Sequence, residues 1–384
     1  MRIAFRLVTD KSRKLINRLM ESKDIEIVCL VDGNEEKWET IDFESGLPYV
    51  SPYKFWDLYE ADKIDKILIS PYSGAYTALD VIDEMMGMGI SRDSFLLPAI
   101  PDIEEKENFT EEDLLQFTID NYKTLPRVQY HIADHCNLNC VSCSHFSSLV
   151  KEERFIDSEE VKRDLIALKR LVKHIERIDI LGGEPFLNKD WKKFVEITRE
   201  IFSFSEITII TNGTLIWKMS DADWEFIREN DVYFRTSLYK PFWKKADEIA
   251  QLLKEKGIRY SVNFRVISDF ASIFLKEKRC DSVINRRNCS GSCNQLYHGK
   301  MAPCNVMMYI KYFNEYWGTH FSEDVPVEDL DSVKDFGELM ECLNRPMDLC
   351  EHCNVEVRSQ VHEKWEIMKP GGKENNDIRK WIYE

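Results

Sequence analysis

Apolar and polar positions alternate along the chain in two rhythms. Short β-branched runs repeat every second residue, and the stretches between them repeat at the helical period. Ile3, Phe5 and Leu7 alternate as a strand, and Leu15, Ile16, Leu19 and Met20 form a helical stripe. Ile25 to Val31 reads as a second strand ending in Asp32-Gly33, Ile67 to Ile69 as a third, and Phe95 to Leu97 as a short fourth. Ala75 to Met88 reads as a helix, closed by Gly87 and Gly89. This βαβ order predicts a parallel sheet over residues 1–105. The first strand–helix turn, Val8-Thr-Asp-Lys-Ser-Arg-Lys14, has none of the glycines that let a phosphate approach a helix start. Asp32 therefore reads as a turn residue rather than a ribose ligand, Cys29 as a small buried hydrophobe, and the domain as one that packs, dimerises or helps to hold a substrate.

Pro98 and Pro101 close this region, and an acidic linker follows over residues 106–125. There Thr110-Glu-Glu-Asp113 can cap a helix with Leu114, Leu115, Phe117 and Ile119 on its apolar face. From residue 126 strands and helices alternate again. Val128 to Ile132 is a strand, Asp157-Ser-Glu-Glu160 caps a helix bearing Val161, Leu165, Leu168 and Val172, and Ile178 to Leu181 is the next strand. Helices follow at Phe194 to Phe202, Ala222 to Glu229 and Ala246 to Lys256, with strands at Ile207 to Thr211, Val232 to Leu238 and Tyr260 to Val266. Five β/α units are clear and a sixth fits, too few for a closed eightfold barrel.

The chemistry gathers at the ends of these strands. Cys136-Asn-Leu-Asn-Cys140-Val-Ser-Cys143 follows the first of them. Three thiolates can hold three irons of a [4Fe–4S] cube and leave the fourth open, although the same cysteines also suit zinc. Downstream lie Leu181-Gly-Gly-Glu-Pro185 and Ile210-Thr-Asn-Gly213, each ending a strand. In that order the three motifs, within residues 126–278, resemble the radical S-adenosylmethionine (radical SAM) superfamily. The resemblance implies an α/β fold with a partial (β/α)6 TIM-type barrel, following the N-terminal Rossmann-like βαβ domain. It implies that Cys136, Cys140 and Cys143 hold the cluster and that the open iron takes S-adenosylmethionine. Gly182, Gly183, Glu184 and Pro185 would then meet its methionine part, Asn212 its ribose, Ser237 its carboxylate or ribose, and Arg265 its carboxylate. Ser142 stands where the superfamily usually has an aromatic near the adenine, so that contact falls to backbone or to another side chain such as Phe146. His131, His135 and His145 flank the loop, and His145 is the candidate for proton transfer.

Cysteines return near the C-terminus. Cys293 to Cys304 reads as a hairpin turning at His298-Gly299, and Cys350-Glu-His-Cys353 is a CxxC. Cys293, Cys304, Cys350 and Cys353 make four ligands, enough for a closed second [4Fe–4S] cluster or for structural zinc. Cys289, nine residues before Gly299, competes with Cys293, which pairs more naturally across the hairpin. The arrangement resembles the auxiliary-cluster extensions called SPASM and twitch, placed over residues 279–360. No further cysteine follows Cys353, so the shorter twitch type is favoured. The tail, residues 361–384, shows no chemistry.

Eleven cysteines with no export signal in the sequence argue for thiolate chemistry in a reducing cytoplasm. A net charge of -16 argues against nucleic acid and anionic membrane as partners. The resemblance points to a radical SAM oxidoreductase acting on a carbinol carbon of a sugar-like or nucleotide-sugar small molecule, with flavodoxin or ferredoxin as reductant. A twitch cluster resembles that of alcohol dehydrogenases in aminoglycoside pathways. Epimerisation is the close variant, with Cys280, Cys289 and Cys342 as spare thiols. Modification of a ribosomal peptide and an iron–sulfur sensor or electron-transfer role are the alternatives.

Overall fold

The computed structural model describes residues 1–8, 12–70, 81–82, 84–98, 110–116, 123–239, 242–263, 269–270, 274–289, 293–355 and 363–383. The chain divides into two compact units, residues 1–126 with 172–176, and residues 127–171 with 177–384.

In the first unit the alternating runs form β1 (Arg2–Arg6), β2 (Glu26–Val31), β4 (Lys66–Ile69) and β5 (Phe95–Pro98). Two short strands, β3 (Tyr49–Val50) and β6 (Leu114–Gln116), complete a sheet of order β3-β2-β1-β4-β5-β6. All pairs are parallel except β5 with β6. Period two sorts β1 between two cores. Ile3 and Phe5 join Leu15, Ile16 and Leu19 of helix α1 (Ser12–Met20), while Ala4 joins Phe55, Ile67 and Ile69. A parallel sheet covered on both faces is the doubly wound arrangement.

Three details differ from the sequence pattern or extend it. Helix α2 (Pro52–Glu60) was hidden because its aromatics give no clean stripe. Its start is nevertheless signalled, since the Ser51 hydroxyl accepts from Lys54 N at 3.0 Å and Pro52 opens the helix. Among the described residues the linker helix does not form. Thr110 and Asp113 do make their capping box, but it closes only the 3-10 turn Glu111–Asp113. Leu114 to Gln116 then pair antiparallel with β5, which satisfies backbone groups that an exposed sheet edge would leave open. Phe117 and Ile119, and half of the Ala75 to Met88 helix, lie outside the described residues. Asp32 is a turn residue: its carboxylate accepts from Asn34 N at 2.9 Å and pairs with Lys37 at 2.8 Å.

From β7 (Thr124–Ala133) onward strands alternate with helices: α3 (Ser158–Leu171), β8 (His174–Gly182), α4 (Trp191–Ile201), β9 (Glu206–Thr211), α5 (Asp221–Glu229), β10 (Tyr233–Ser237), α6 (Ala246–Glu255) and β11 (Tyr260–Asn263). After the short β12 (Asp269–Phe270) and β13 (Leu275–Lys276) come α7 (Ser282–Asn288), the hairpin β14 (Gln295–Tyr297) and β15 (Lys300–Ala302), α8 (Asn305–Trp317), α9 (Phe336–Asn344), β16 (Glu363–Lys364) and β17 (Ile382–Tyr383). The sheet runs β11-β10-β9-β8-β7-β14-β15. It is an open α/β sheet: β14 lies parallel to β7 and covers the edge that a closed barrel would pair with its last strand. The hairpin turns at His298 and Gly299, both with positive φ, and Gly299 N donates to Asp164 of α3 at 3.0 Å. The C-terminal segment is woven in, with β16 pairing β12 and β17 pairing β13.

Phe55 is fully buried in the first unit. Phe55→Ala should cost about 3–5 kcal/mol, read as faster amide exchange across β1, β2 and β4 with the rates of β8 to β10 unchanged.

Candidate functional site

The ends of β7 to β10 open on a cavity of about 540 Å³. Cys136, Cys140 and Cys143 line it together with Cys289, Cys293, Cys304, Cys350 and Cys353. Their burial pushes the thiols up, Cys140 to about 12 and Cys136 and Cys143 likewise above their usual range. Such groups hold their protons until a metal replaces them. The sulfurs are already supplied with donors. Leu138 N reaches Cys136 Sγ at 3.4 Å, Asn212 Nδ2 reaches it at 3.6 Å, and Trp365 Nε1 reaches Cys140 Sγ at 3.3 Å. Among the described residues no three His, Cys, Asp or Glu side chains close on a lone ion, and a cube takes its thiolates one per iron. The donor set fits a cluster.

The glycines after β8 exist for close approach. A Cβ on Gly182 would stand 2.1 Å from Ala133 O, and one on Gly183 would stand 2.2 Å from His135 O. Gly183 N donates to Ala133 O at 2.8 Å, so the end of β8 lies against the start of the cysteine loop. Glu184 and Pro185 are buried behind this turn, and the cavity wall here is Gly182 and Gly183. The Glu184 carboxylate accepts from Thr211 Oγ1 at 2.8 Å, Asn212 N at 2.9 Å and Phe186 N at 3.2 Å. Burial pushes its pKa up to about 7 against these bonds. Asn212 spends Nδ2 on Asn137 at 2.8 Å and Oδ1 on Thr214, tying β9 to the cysteine loop. Ser237 lines the cavity. Arg265 lies outside the described residues.

His145 also lines the cavity. Its Nδ1 meets His131 Nε2 at 2.8 Å, and His131 Nδ1 meets Asp134 at 2.8 Å. Burial pushes Asp134 up, but hydrogen bonds from His131, Tyr297 and Tyr312 win and hold it at about 2. Burial and the neighbouring His131 and Arg127 push His145 well below the usual histidine range. His135 sits apart, bonded to Arg154 backbone.

Two expectations change. Phe146 does not reach the cavity; it is buried against Phe313 at 5.4 Å and Trp381 at 6.0 Å. Tyr239, stacked on Trp365 at 6.3 Å, and Phe274 are aromatics that do line it. The tail is part of the site. Val141 N donates to Glu366 O at 2.9 Å and Met368 N to Asn139 O at 2.7 Å. The buried Ser142, with φ 57°, donates to Lys380 O. Sequence reasoning missed Arg127, Gln129 and Arg235 on the cavity wall. For Arg235 a signal was present, since period two places it on one strand face with Ser237.

Trp365→Phe keeps the ring and removes its N–H. Hydrogen bonds to cluster sulfurs favour the reduced, more negative state. A bond worth about 1 kcal/mol corresponds to about 40 mV for one electron. The midpoint potential of a cluster held by Cys136, Cys140 and Cys143 should therefore fall by that order in an EPR-monitored redox titration. An unchanged potential would remove this role from Trp365.

Residues 130–279 match the family described as the Radical SAM superfamily. A GTP 3',8-cyclase of Limosilactobacillus fermentum is 31% identical over 106 residues, 27% of this chain and 31% of the relative. Another from Petrotoga mobilis is 29% identical over 113 residues, 27% of this chain and 32% of the relative. The chain thus spans about a third of the length of the curated relatives it matches. Among solved structures, BtrN in complex with AdoMet and 2-DOIA aligns with TM-score 0.38 and 19% identity, covering 62% of this chain and 96% of that one. No helix among the described residues is long and apolar enough to cross a membrane. With its cysteine loop and strand-end motifs on one cavity, the segment 130–279 is a domain of the radical SAM superfamily, which works with a [4Fe–4S] cluster and S-adenosylmethionine.

Proposed function

We propose that the whole chain is a radical SAM oxidoreductase for a polar, sugar-like small molecule, oxidising or epimerising a carbinol carbon. The observation that carries the reading is the convergence of Cys136, Cys140 and Cys143 with Gly182, Gly183, Asn212 and Ser237 on one cavity. When bound, the cluster and S-adenosylmethionine supply a 5'-deoxyadenosyl radical at the cost of one electron, delivered by a reductant such as flavodoxin or ferredoxin.

The chain's own residues hold, orient and exclude water. Glu184 already takes three hydrogen bonds, and a carboxylate has about four lone-pair sites. One remains, which the amino group of S-adenosylmethionine would have to reach past Gly182 and Gly183, behind which Glu184 is buried. Gly182 and Gly183 offer backbone to the methionine part, and Ser237 offers a hydroxyl. Arg127, Gln129, Arg235 and His145 add polar groups to the lining, as a hydroxylated substrate needs. His145 stands at the cavity end of the chain Asp134–His131–His145, an arrangement that can accept a proton and hold the ring orientation. The C-terminal thiols would hold an auxiliary [4Fe–4S] cluster that takes the second electron of an oxidation.

Anaerobic protein reduced with dithionite should convert S-adenosylmethionine to 5'-deoxyadenosine and methionine, and Cys140→Ala should abolish this. Absence of 5'-deoxyadenosine from the unaltered protein would sink the enzyme reading and favour a sensor. With the substrate in hand, a carbonyl product marks dehydrogenation, and solvent deuterium in a product of unchanged oxidation state marks epimerisation. Glu184→Gln should weaken S-adenosylmethionine binding by about tenfold or more, measured by anaerobic equilibrium dialysis. Equal affinity would mean that Glu184 serves only to tie strand ends together.

A further inference from the structure

The sheet beneath the cavity carries more fixed positive charge than its neighbours balance. Period two gives Arg127 and Gln129 one face of β7, Arg177 and Asp179 one face of β8, and Arg235 and Ser237 one face of β10. Of these, Arg127, Gln129, Arg235 and Ser237 line the cavity. Asp179 is fully buried and already shared. Its Oδ2 accepts from Arg127 Nε and from Gln129 Nε2 at 2.6 Å, and its Oδ1 stands 3.0 Å from Arg177 Nε. Arg127 also donates from Nη1 to Cys293 Sγ at 3.7 Å.

The guanidinium of Arg235 is left over. Among the described residues it has neither a hydrogen bond nor an ion pair. Its neighbours across the sheet are Ile210 of β9 and Ser261 of β11, neither of them an acid. The side chain is half-buried. Burial first, and then the charges of Arg127 and Arg177, lower its pKa, while the carboxylate acting the other way is the shared Asp179. A cation drawn partly out of water among like charges is destabilising until an anion joins it. A guanidinium fork suits two oxygens of a carboxylate or a phosphate.

We propose that the substrate carries an anionic group, a phosphate or a carboxylate, which sits against the Arg235 guanidinium on the cavity wall that Arg127 also lines. This narrows the substrate class within the reading of a polar, sugar-like molecule and rests on that reading. A substrate whose polar groups are all neutral or cationic would leave Arg235 unpaired. S-adenosylmethionine brings a carboxylate of its own, so the test is run with that cosubstrate saturating.

The full chain, reconstituted anaerobically, is dialysed to equilibrium against radiolabelled inorganic phosphate and, separately, acetate. At least one anion should bind saturably and less tightly as salt rises. Arg235→Gln should weaken that binding by about tenfold or more. Tighter phosphate marks a phosphorylated substrate, and tighter acetate a carboxylated one. Because a variant can fail to fold, the unaltered chain is also treated with phenylglyoxal and its modified arginines are read by peptide mass spectrometry. The bound anion should shield Arg235. The proposal is overturned by saturable binding of neither anion, by equal labelling of Arg235 with and without the anion, or by displacement of the anion by S-adenosylmethionine. The last result would give Arg235 to the cosubstrate's carboxylate. Formation of 5'-deoxyadenosine by the same unaltered preparation separates the failures. Where it persists, only the anion site falls; where it is absent, the enzyme reading falls and takes the anion site with it.

Discussion

The site depends on one buried carboxylate. Glu184 joins the turn after β8 to the end of β9 through Thr211, Asn212 and Phe186. Asn212 then carries the connection on to Asn137 and Cys136 in the cysteine loop. The group is costly to ionise where it stands, with a pKa pushed up to about 7 from 4.5. The sign of its effect follows. A carboxyl whose folded pKa lies above its unfolded value binds protons more tightly in the folded state. It therefore withdraws stability as pH rises from about 4.5 through about 7. A cationic or hydrogen-donating group beside the carboxylate would remove that penalty.

The cysteine loop is held from two directions that lie far apart in sequence. From one side come the glycines after β8, which can touch the loop only because they lack a Cβ. From the other come Trp365, Glu366, Met368 and Lys380 of the tail. This explains Ser142 at a place where an aromatic was expected. Its left-handed backbone and its hydroxyl bond to Lys380 O fasten the loop to the tail, and a large side chain there would break that contact. The aromatic surface is supplied instead by Tyr239, braced by Trp365.

Much of this was legible in the residues and some was not, for identifiable reasons. Alternation and helical stripes located β1, β2 and β4 and the units from β7 to β11, because buried parallel strands must be apolar. The turn at His298-Gly299 was readable because that φ combination favours glycine. The strand β6 was not, since its pairing with β5 depends on an edge elsewhere in the chain, and the capping box before it pointed to a helix. The tail's role could not be read either. Its bonds to the cysteine loop run mostly through backbone atoms, which leave no trace in side-chain pattern. Nor could spacing show that Asn285 ties the helix before Cys289 to the CxxC turn, or that Arg127 bonds the Cys293 sulfur.

The thiols on the cavity wall bear on the choice between oxidation and epimerisation. Oxidation needs the substrate radical to lose an electron, which an auxiliary cluster held by the C-terminal cysteines of the same cavity would take. Epimerisation needs a hydrogen atom returned to carbon. There the S–H bond of a thiol breaks, a C–H bond forms, and the thiyl sulfur is restored by one proton and one electron from the low-potential reductant. Cys280 and Cys342, spare by count, are absent from the cavity wall, whereas Cys293 is on it. The guanidinium of Arg127 favours a thiolate at Cys293, but burial is the stronger effect and keeps the thiol protonated. A protonated thiol can donate hydrogen and a cluster ligand cannot. Whether Cys293 would serve as a cluster ligand or stay a thiol thus decides whether it can be that donor.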